Sequence, residues 1–285
     1  MTKASNHTSS NELQQLKDFL TDKRHLVVLS GAGISVGSGI PTYRDKAGNW
    51  KRSDPIQHQD FMTRKSARQR YWLRSYAGWP AVASAVPSPS HHVIAELERR
   101  KIVATVVTQN VDRLHQQAGS RNVIDLHGRL DEVVCMNCHK VISRHALQPI
   151  LKLLNPFFSR QGEMAPDGDA DVPDDSVSSV EVPPCEDCDG ILKPNVVFFG
   201  DNVDKSIVQQ VYAGIDDSDG LLIVGTSLKV FSGYRFCRYA AKHGKPIASI
   251  NPGLSRGDDL IQTIIRCDSD DVLTPVLKSI PASIP

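Results

Sequence analysis

Residues 26–35 read Leu26-Val27-Val28-Leu29-Ser30-Gly31-Ala32-Gly33-Ile34-Ser35. Four apolar side chains in a row fit a strand buried on both faces, as a covered parallel sheet requires. A strand that runs into Gly-x-Gly is where α/β folds cradle a pyrophosphate. The missing Cβ atoms let the backbone approach the anion, and the helix N-terminus that follows adds a favourable dipole. The turn departs from the dinucleotide fingerprint, however. Its third glycine would fall at Val36, whereas the next glycines are Gly37 and Gly39, and no acidic residue ends a plain second strand about twenty residues on. Gly39-Ile40-Pro41-Thr42-Tyr43-Arg44-Asp45 stands there instead. The stretch is either a tight turn or an unusual nucleotide site.

Outward from it the pattern alternates. Leu13, Leu16 and Leu20 repeat at helical intervals after Ser9-Ser10-Asn11-Glu12, so a helix is expected over 10–22. Further helices are expected over 91–100, 113–118, 146–154, 204–215, 234–243 and 272–280. Strands are expected over 102–107, 123–126, within 191–199, and over 221–224, 246–250 and 261–265. Strands alternating with helices argue a parallel sheet covered on both faces. Polar residues at strand ends, such as Gln109-Asn110-Val111-Asp112 and His127, sit where such sheets bind ligands. The region 46–89 is irregular and holds Trp50, Phe61, Tyr71, Trp72, Tyr76 and Trp79 among Arg64, Lys65, Arg68, Arg70 and Arg74. Aromatics mixed with arginines suit a nucleic-acid face or a small helical module with an aromatic core. The net charge of +1 favours the module.

The 285 residues suffice for one large domain with a smaller companion. No apolar run is long enough to span a bilayer, and residues 1–11 show no secretion or import pattern, so a cytoplasmic protein free of membrane is expected. Six cysteines do not suggest a disulfide framework. Four of them form two Cys-x-x-Cys pairs, Cys135/Cys138 and Cys185/Cys188. Such pairs make knuckles whose thiolates converge on one zinc ion. Four sulfur ligands leave no position open to water, so the ion is expected to be structural. The acidic segment 162–184 between the pairs is expected to be a loop or partly mobile. Cys237 reads as core.

Taken together the motifs resemble the sirtuins, the NAD-dependent protein deacylases. They are Gly31-Ala32-Gly33-Ile34-Ser35, Ser38 to Arg44, Thr108 to His115, Leu126-His127-Gly128, the cysteine pairs, Lys193 to Asp201, Val224 to Leu228 and Asn251-Pro252-Gly253. Arg70-Tyr71-Trp72, Gly78-Trp79-Pro80, 165–169 and Ser232 to Phe236 resemble the class II branch. The resemblance implies a Rossmann-like NAD-binding domain from 1–45, 90–130 and 190–285. A helical module (46–89) and a zinc-binding module (131–189) would form the small domain. It implies NAD contacts at Gly31, Ala32, Gly33, Ile34, Ser35, Tyr43, Arg44, Gln109, Asn110, Val111, Asp112, Gly225, Thr226, Ser227, Asn251, Pro252, Gly253 and, by its backbone, Cys267. Tyr43 and Arg44 would form a flap, and Asn110 and Asp112 would hold the nicotinamide amide.

By the same resemblance NAD serves as an electrophile. The acyl-lysine amide oxygen attacks the ribose C1′, nicotinamide leaves, and His127, the general base, takes a ribose proton so that the alkylimidate can collapse. An imidazole titrating near 6.5 suits that task, with His115 as the alternative. The peptide is expected to add as a strand between 197–200 and 228–230, its acyl chain passing Val197 and Phe198, with Val196 as core. Tyr71-x-x-Arg74 superficially resembles the pair that reads acidic acyl groups in desuccinylases, but the surrounding residues favour an acetyl, hydrophobic or cofactor-derived acyl group. A monomer is expected, with no nucleic-acid partner. Mono-ADP-ribosyl transfer from the same pocket is the alternative activity. Hydride transfer is disfavoured by the missing ribose-binding acid.

Overall fold

The computed structural model describes residues 10–21, 23–43, 45, 55–158, 163–164, 169–171 and 174–281. Trp50 and Arg44 lie outside them. The chain begins with α1 (Ser10–Thr21), β1 (Leu26–Ser30) and a 3-10 turn (Ala32–Ser38). It continues through α2 (His58–Thr63), α3 (Lys65–Ala83), α4 (Pro89–Arg99), β2 (Val103–Thr108), α5 (Leu114–Gln117), β3 (Val123–Asp125), β4 (Gly128–Cys135), β5 (Val141–Ser143) and α6 (Arg144–Leu154). After the short strands β6 (Glu163–Met164) and β7 (Ala170–Asp171) come β8 (Leu192–Val196), α7 (Lys205–Asp216), β9 (Gly220–Val224), α8 (Phe231–Lys242), β10 (Ile247–Ile250), β11 (Thr263–Ile265) and α9 (Ser269–Ser279).

The main sheet has the order β11-β10-β9-β1-β2-β3 and is parallel throughout. β1 is central, and its apolar run divides between two cores. Leu26 and Val28 pack with residues of α1, α4 and α9, while Val27 and Leu29 pack with residues of α7 and α8. This is why the strand needs apolar residues at every position. From β1 the strand order runs outward to β2 and β3 on one side and to β9, β10 and β11 on the other. The order therefore reverses between β1 and β9, and the crevice at their carboxyl ends is where such a sheet takes a ligand.

One expected strand sits elsewhere. β8 does not resume the parallel sheet but pairs antiparallel with β4, Cys135 opposite Leu192 and Val133 opposite Pro194, and β5 completes a three-stranded sheet. β4 ends on the first cysteine pair and β8 follows the second, so bringing the two knuckles together lays the strands side by side. Of the segment 162–184, residues 163–164, 169–171 and 174–184 are described. Residues 174–179 form a 3-10 turn, and Val177 and Val180 enter the small module's core. Buried amides substitute for apolar residues there. Gln69 Nε2 donates to the Val180 carbonyl at 2.7 Å, and Asn155 accepts from the Glu181 N–H at 2.7 Å and donates to its carbonyl at 2.8 Å. The aromatics of α2 and α3 are core: Phe61, Tyr71, Trp72 and Tyr76 pack with Val133, Leu147 and Phe158. The buried Arg144 guanidinium lies 5.5 Å from the ring of Trp72 and 5.3 Å from that of Trp79.

Beneath the 3-10 turn lie two buried histidines, His91 and His115, with ring centroids 4.8 Å apart. The Ser88 N–H donates to His91 Nδ1 at 3.1 Å, and Ser30 Oγ meets His115 Nε2 at 2.8 Å. Burial lowers His91 to about 4 against the opposing charge of Asp270, and burial also holds His115 well below the ordinary value. Both rings are neutral in the fold, whereas the unfolded chain takes up protons near pH 6.5. Their contribution is therefore complete above pH 6.5 and is lost as pH falls toward 4. Between those values His91 alone should cost roughly 3 kcal/mol of stability. Urea midpoints measured against pH should show the loss, and His91→Asn should flatten the slope.

Candidate active site

The carboxyl ends of β1 and β9 touch through backbone. The Gly31 N–H donates to the Val224 carbonyl at 3.0 Å and the Gly33 N–H to the Gly225 carbonyl at 2.8 Å. A Cβ on Gly33 would stand 2.7 Å from Gly225 Cα. One on Gly225, whose φ is +64°, would stand 2.4 Å from the Ile34 nitrogen. The expected cradle is thus corrected in detail. Gly31 and Gly33 spend their N–H groups on the β9 end, and their value is close approach, which leaves Ala32 as the member of the triplet not committed to that contact.

Around this junction opens a cavity of about 800 Å³. Gly31, Ala32, Gly33, Tyr43, Gln109, Asn110, Val111, His127, Gly225, Thr226, Ser227, Asn251, Pro252 and Gly253 all line it. Phe231, Ser232, Arg235 and Asp268, to which the sequence reading gave no site role, line it too, as does Lys229 of the expected peptide-binding stretch 228–230. Ile34 does not, its side chain lying in the core under the sheet, where the Cys267 side chain also sits; the contact expected of Cys267 is through its backbone. Ser35 and Asp112 stand behind the wall, where Ser35 Oγ donates to Asp112 Oδ2 at 2.7 Å and Asn110 Nδ2 donates to Ser35 Oγ at 3.0 Å and to the Gly31 carbonyl at 3.1 Å. The Leu114 N–H holds the other Asp112 oxygen at 3.0 Å. Burial raises the Asp112 carboxyl above its ordinary value, and these donors oppose the shift. The wall residues after β2 are in this way locked to the β1 cradle. Gln109 is held similarly, donating from Nε2 to the Ser30 carbonyl and to Thr226 Oγ1, both at 3.1 Å. His115 faces Ser30 and does not line the cavity.

His127 follows β3 and immediately precedes β4. Its Nδ1 lies 2.8 Å from the Gln109 carbonyl and its Nε2 2.7 Å from Ser232 Oγ. A carbonyl only accepts, so Nδ1 carries the proton and Nε2 the lone pair. Burial holds the imidazole below its ordinary value, the Gln109 bond opposes this, and the charge of Arg235 adds to the lowering. A neutral imidazole whose Nε2 lone pair lies at a cavity wall can accept a proton there.

The four sulfurs of Cys135, Cys138, Cys185 and Cys188 lie within 4.8 Å of one another. Cys135 and Cys188 are 3.5 Å apart and Cys138 and Cys185 3.7 Å, too far for disulfides and close to the ~3.8 Å of a tetrahedral zinc–thiolate site. The knuckles match. In each, the residue after the second cysteine (His139 and Asp189) has positive φ and donates its N–H to the first cysteine's carbonyl. The Asn137 N–H points at Cys135 Sγ at 3.4 Å, which favours thiolate. The donor set fits zinc with no position left for a substrate.

Residues 31–232 match the model of the Sir2 family. The chain belongs to that family. It is 49% identical over 269 residues to an NAD-dependent protein deacetylase of Bordetella bronchiseptica, covering 94% of this chain and 98% of the relative. It is 43% identical over 267 residues to the NAD-dependent protein deacylase Sirt4 of Drosophila melanogaster, covering 92% and 86%. A solved Sir2 variant bound to a p53 peptide and NAD superposes with a TM-score of 0.75 at 26% identity, covering 94% of this chain and 98% of that one.

Two outcomes are expected. Cys188→Ala should lose stoichiometric zinc by metal analysis and lower the thermal midpoint. Gly225→Ala should destabilise the fold by about 2 kcal/mol or more in urea titrations, because both its φ and its space exclude a Cβ.

Proposed function

We propose that this Sir2-family chain is an NAD-dependent protein-lysine deacylase that releases nicotinamide and moves the acyl group from lysine to ADP-ribose, with one structural zinc ion. The observation that carries the reading is the neutral Nε2 of His127 facing the same cavity as the glycine junction of β1 and β9. On this reading the cradle and the ends of β9 and β10 receive the dinucleotide, and Asn110, braced by Ser35, orients the nicotinamide amide. Asp112 acts from behind by fixing Ser35. The amide oxygen of acyl-lysine is a weak nucleophile, so held geometry must supply much of the rate, while His127 takes a ribose hydroxyl proton.

Val197 and Phe198 line the cavity, and the Phe198 ring packs 5.2 Å from those of Phe61 and Tyr71. This apolar wall supports an acetyl or hydrophobic acyl group. Arg74 does not line the cavity and pairs with Asp169 at 3.7 Å, which argues against its reading an acidic acyl group. The peptide is assigned a strand-like path between 197–200 and 228–230, both of which border the cavity. Phe199 is already bridged by Gln57 on one side, so the other edge serves. The similarity to the fly deacylase agrees with a class II assignment. The division into nucleotide and small domains is supported by the two sheets, with β8 on the small side. No helix among the described residues is long and apolar enough to cross a membrane. None of the six cysteines is in a disulfide, which supports a reducing, cytoplasmic setting.

Incubation with NAD and acyl-lysine peptides should yield nicotinamide and O-acyl-ADP-ribose by mass spectrometry; ADP-ribosylated protein in their place would favour the alternative transfer. His127→Ala should abolish turnover while leaving NAD binding by calorimetry largely intact. Because His127 sits below its ordinary value, the acid limb of kcat/KM should fall below pH 6.5, activity being lost as the ring protonates.

A further inference from the structure

His127 is gripped at both nitrogens, and one grip is unexplained by the reaction. Nδ1 donates to the Gln109 carbonyl, so the 2.7 Å contact at Nε2 is the Ser232 hydroxyl donating to the ring's lone pair. That lone pair is the one a base needs. Ser232 stands in the first turn of α8, which reaches the ring because residue 233 is glycine: a Cβ there would come within 2.5 Å of Gln109 Oε1. Gln109, His127 and the start of α8 therefore form one packed contact. A turn further on, Arg235 also lines the cavity, its guanidinium 5.0 Å from the Phe231 ring and its buried Nε without a hydrogen-bond partner. Arg235 is the charged group acting on the ring. Gln109 from the β2 end and Val197 beyond β8 are neutral.

We propose that Ser232 is a positioning residue for His127, its hydroxyl holding the ring with Nε2 toward the cavity and giving way there to the ribose hydroxyl of NAD. The inference rests on the deacylase reading for the role of His127. A ring held only at Nδ1 can swing about its side-chain torsion. A second hydrogen bond removes that freedom and stabilises the neutral form, since a protonated Nε2 cannot accept. The hydroxyl is small and rotates, so it gives up its place without moving α8.

The test uses the full chain with zinc bound. In the NAD-free protein, NMR titration of the His127 imidazole should show the midpoint rising by several tenths to about one pH unit in Ser232→Ala, the size expected for losing one hydrogen bond to the neutral ring. Ser232→Thr, which keeps the hydroxyl, should restore the wild-type midpoint. In nicotinamide-release assays Ser232→Ala should lower kcat several-fold with the peptide KM unchanged. The acid limb of its pH profile should move upward with the NMR midpoint, and Thr should rescue both. An unmoved His127 titration in Ser232→Ala, or a Thr variant that behaves like Ala, overturns the proposal. Wild-type protein that releases no nicotinamide overturns the deacylase reading instead.

Discussion

Everything at the cavity depends on two strand ends meeting without side chains between them. Gly33 and Gly225 bring the backbones of β1 and β9 into direct contact at the point where the strand order reverses. A parallel sheet splays its loops apart at such a point and leaves a crevice. Here the floor of the crevice is closed by hydrogen bonds from Gly31 and Gly33 to the β9 end. The walls are then fixed to that floor: Asn110 donates to the Gly31 carbonyl, and Gln109 to the Ser30 carbonyl and the Thr226 hydroxyl. His127 is fixed to the walls in turn, through the Gln109 carbonyl. Each group is positioned by the one beneath it.

Much of this was legible in the chain. Apolar residues at every position of β1 announce a strand covered on both sides, and the two cores confirm it. The Cys-x-x-Cys spacing announces converging sulfurs, which the structure brings within 4.8 Å. Strand partnership was less legible. Nothing in Leu192–Val196 distinguishes a strand of the parallel sheet from one paired antiparallel with β4, because pairing is set by the distant cysteines. In the sequence, Ser232 and Arg235 stand out only as part of the class II stretch Ser232 to Phe236. The available clue was Gly233, since a glycine in a helix's first turn often signals a neighbouring backbone or side chain at close range. Among the described residues of the acidic insert, its few apolar side chains, Val177 and Val180, are the ones that pack, and Gln69 and Asn155 bond the backbone at Val180 and Glu181.

The small module gains its coherence from two sources of different kind. Aromatics of α2 and α3 supply a packed centre, and the cysteine knuckles tie together segments some fifty residues apart in sequence. The histidine pair beneath the 3-10 turn contributes differently, as buried neutral groups that make the support of the cradle sensitive to acid.

β4 joins these parts physically. It begins at Gly128, directly after His127, and ends at Cys135, so one eight-residue strand carries the cavity histidine at its root and a member of the four-cysteine cluster at its tip. Gly128 has φ of +79° and lies against the Asn195 carbonyl, while Val197 bonds the His127 carbonyl, so β4 and β8 enter the small sheet side by side at that spot. If the small module rocks on the nucleotide sheet, this is its axle. A point on the axle scarcely travels while the distant rim sweeps widely, so the imidazole would keep its address whichever way the metal end swings.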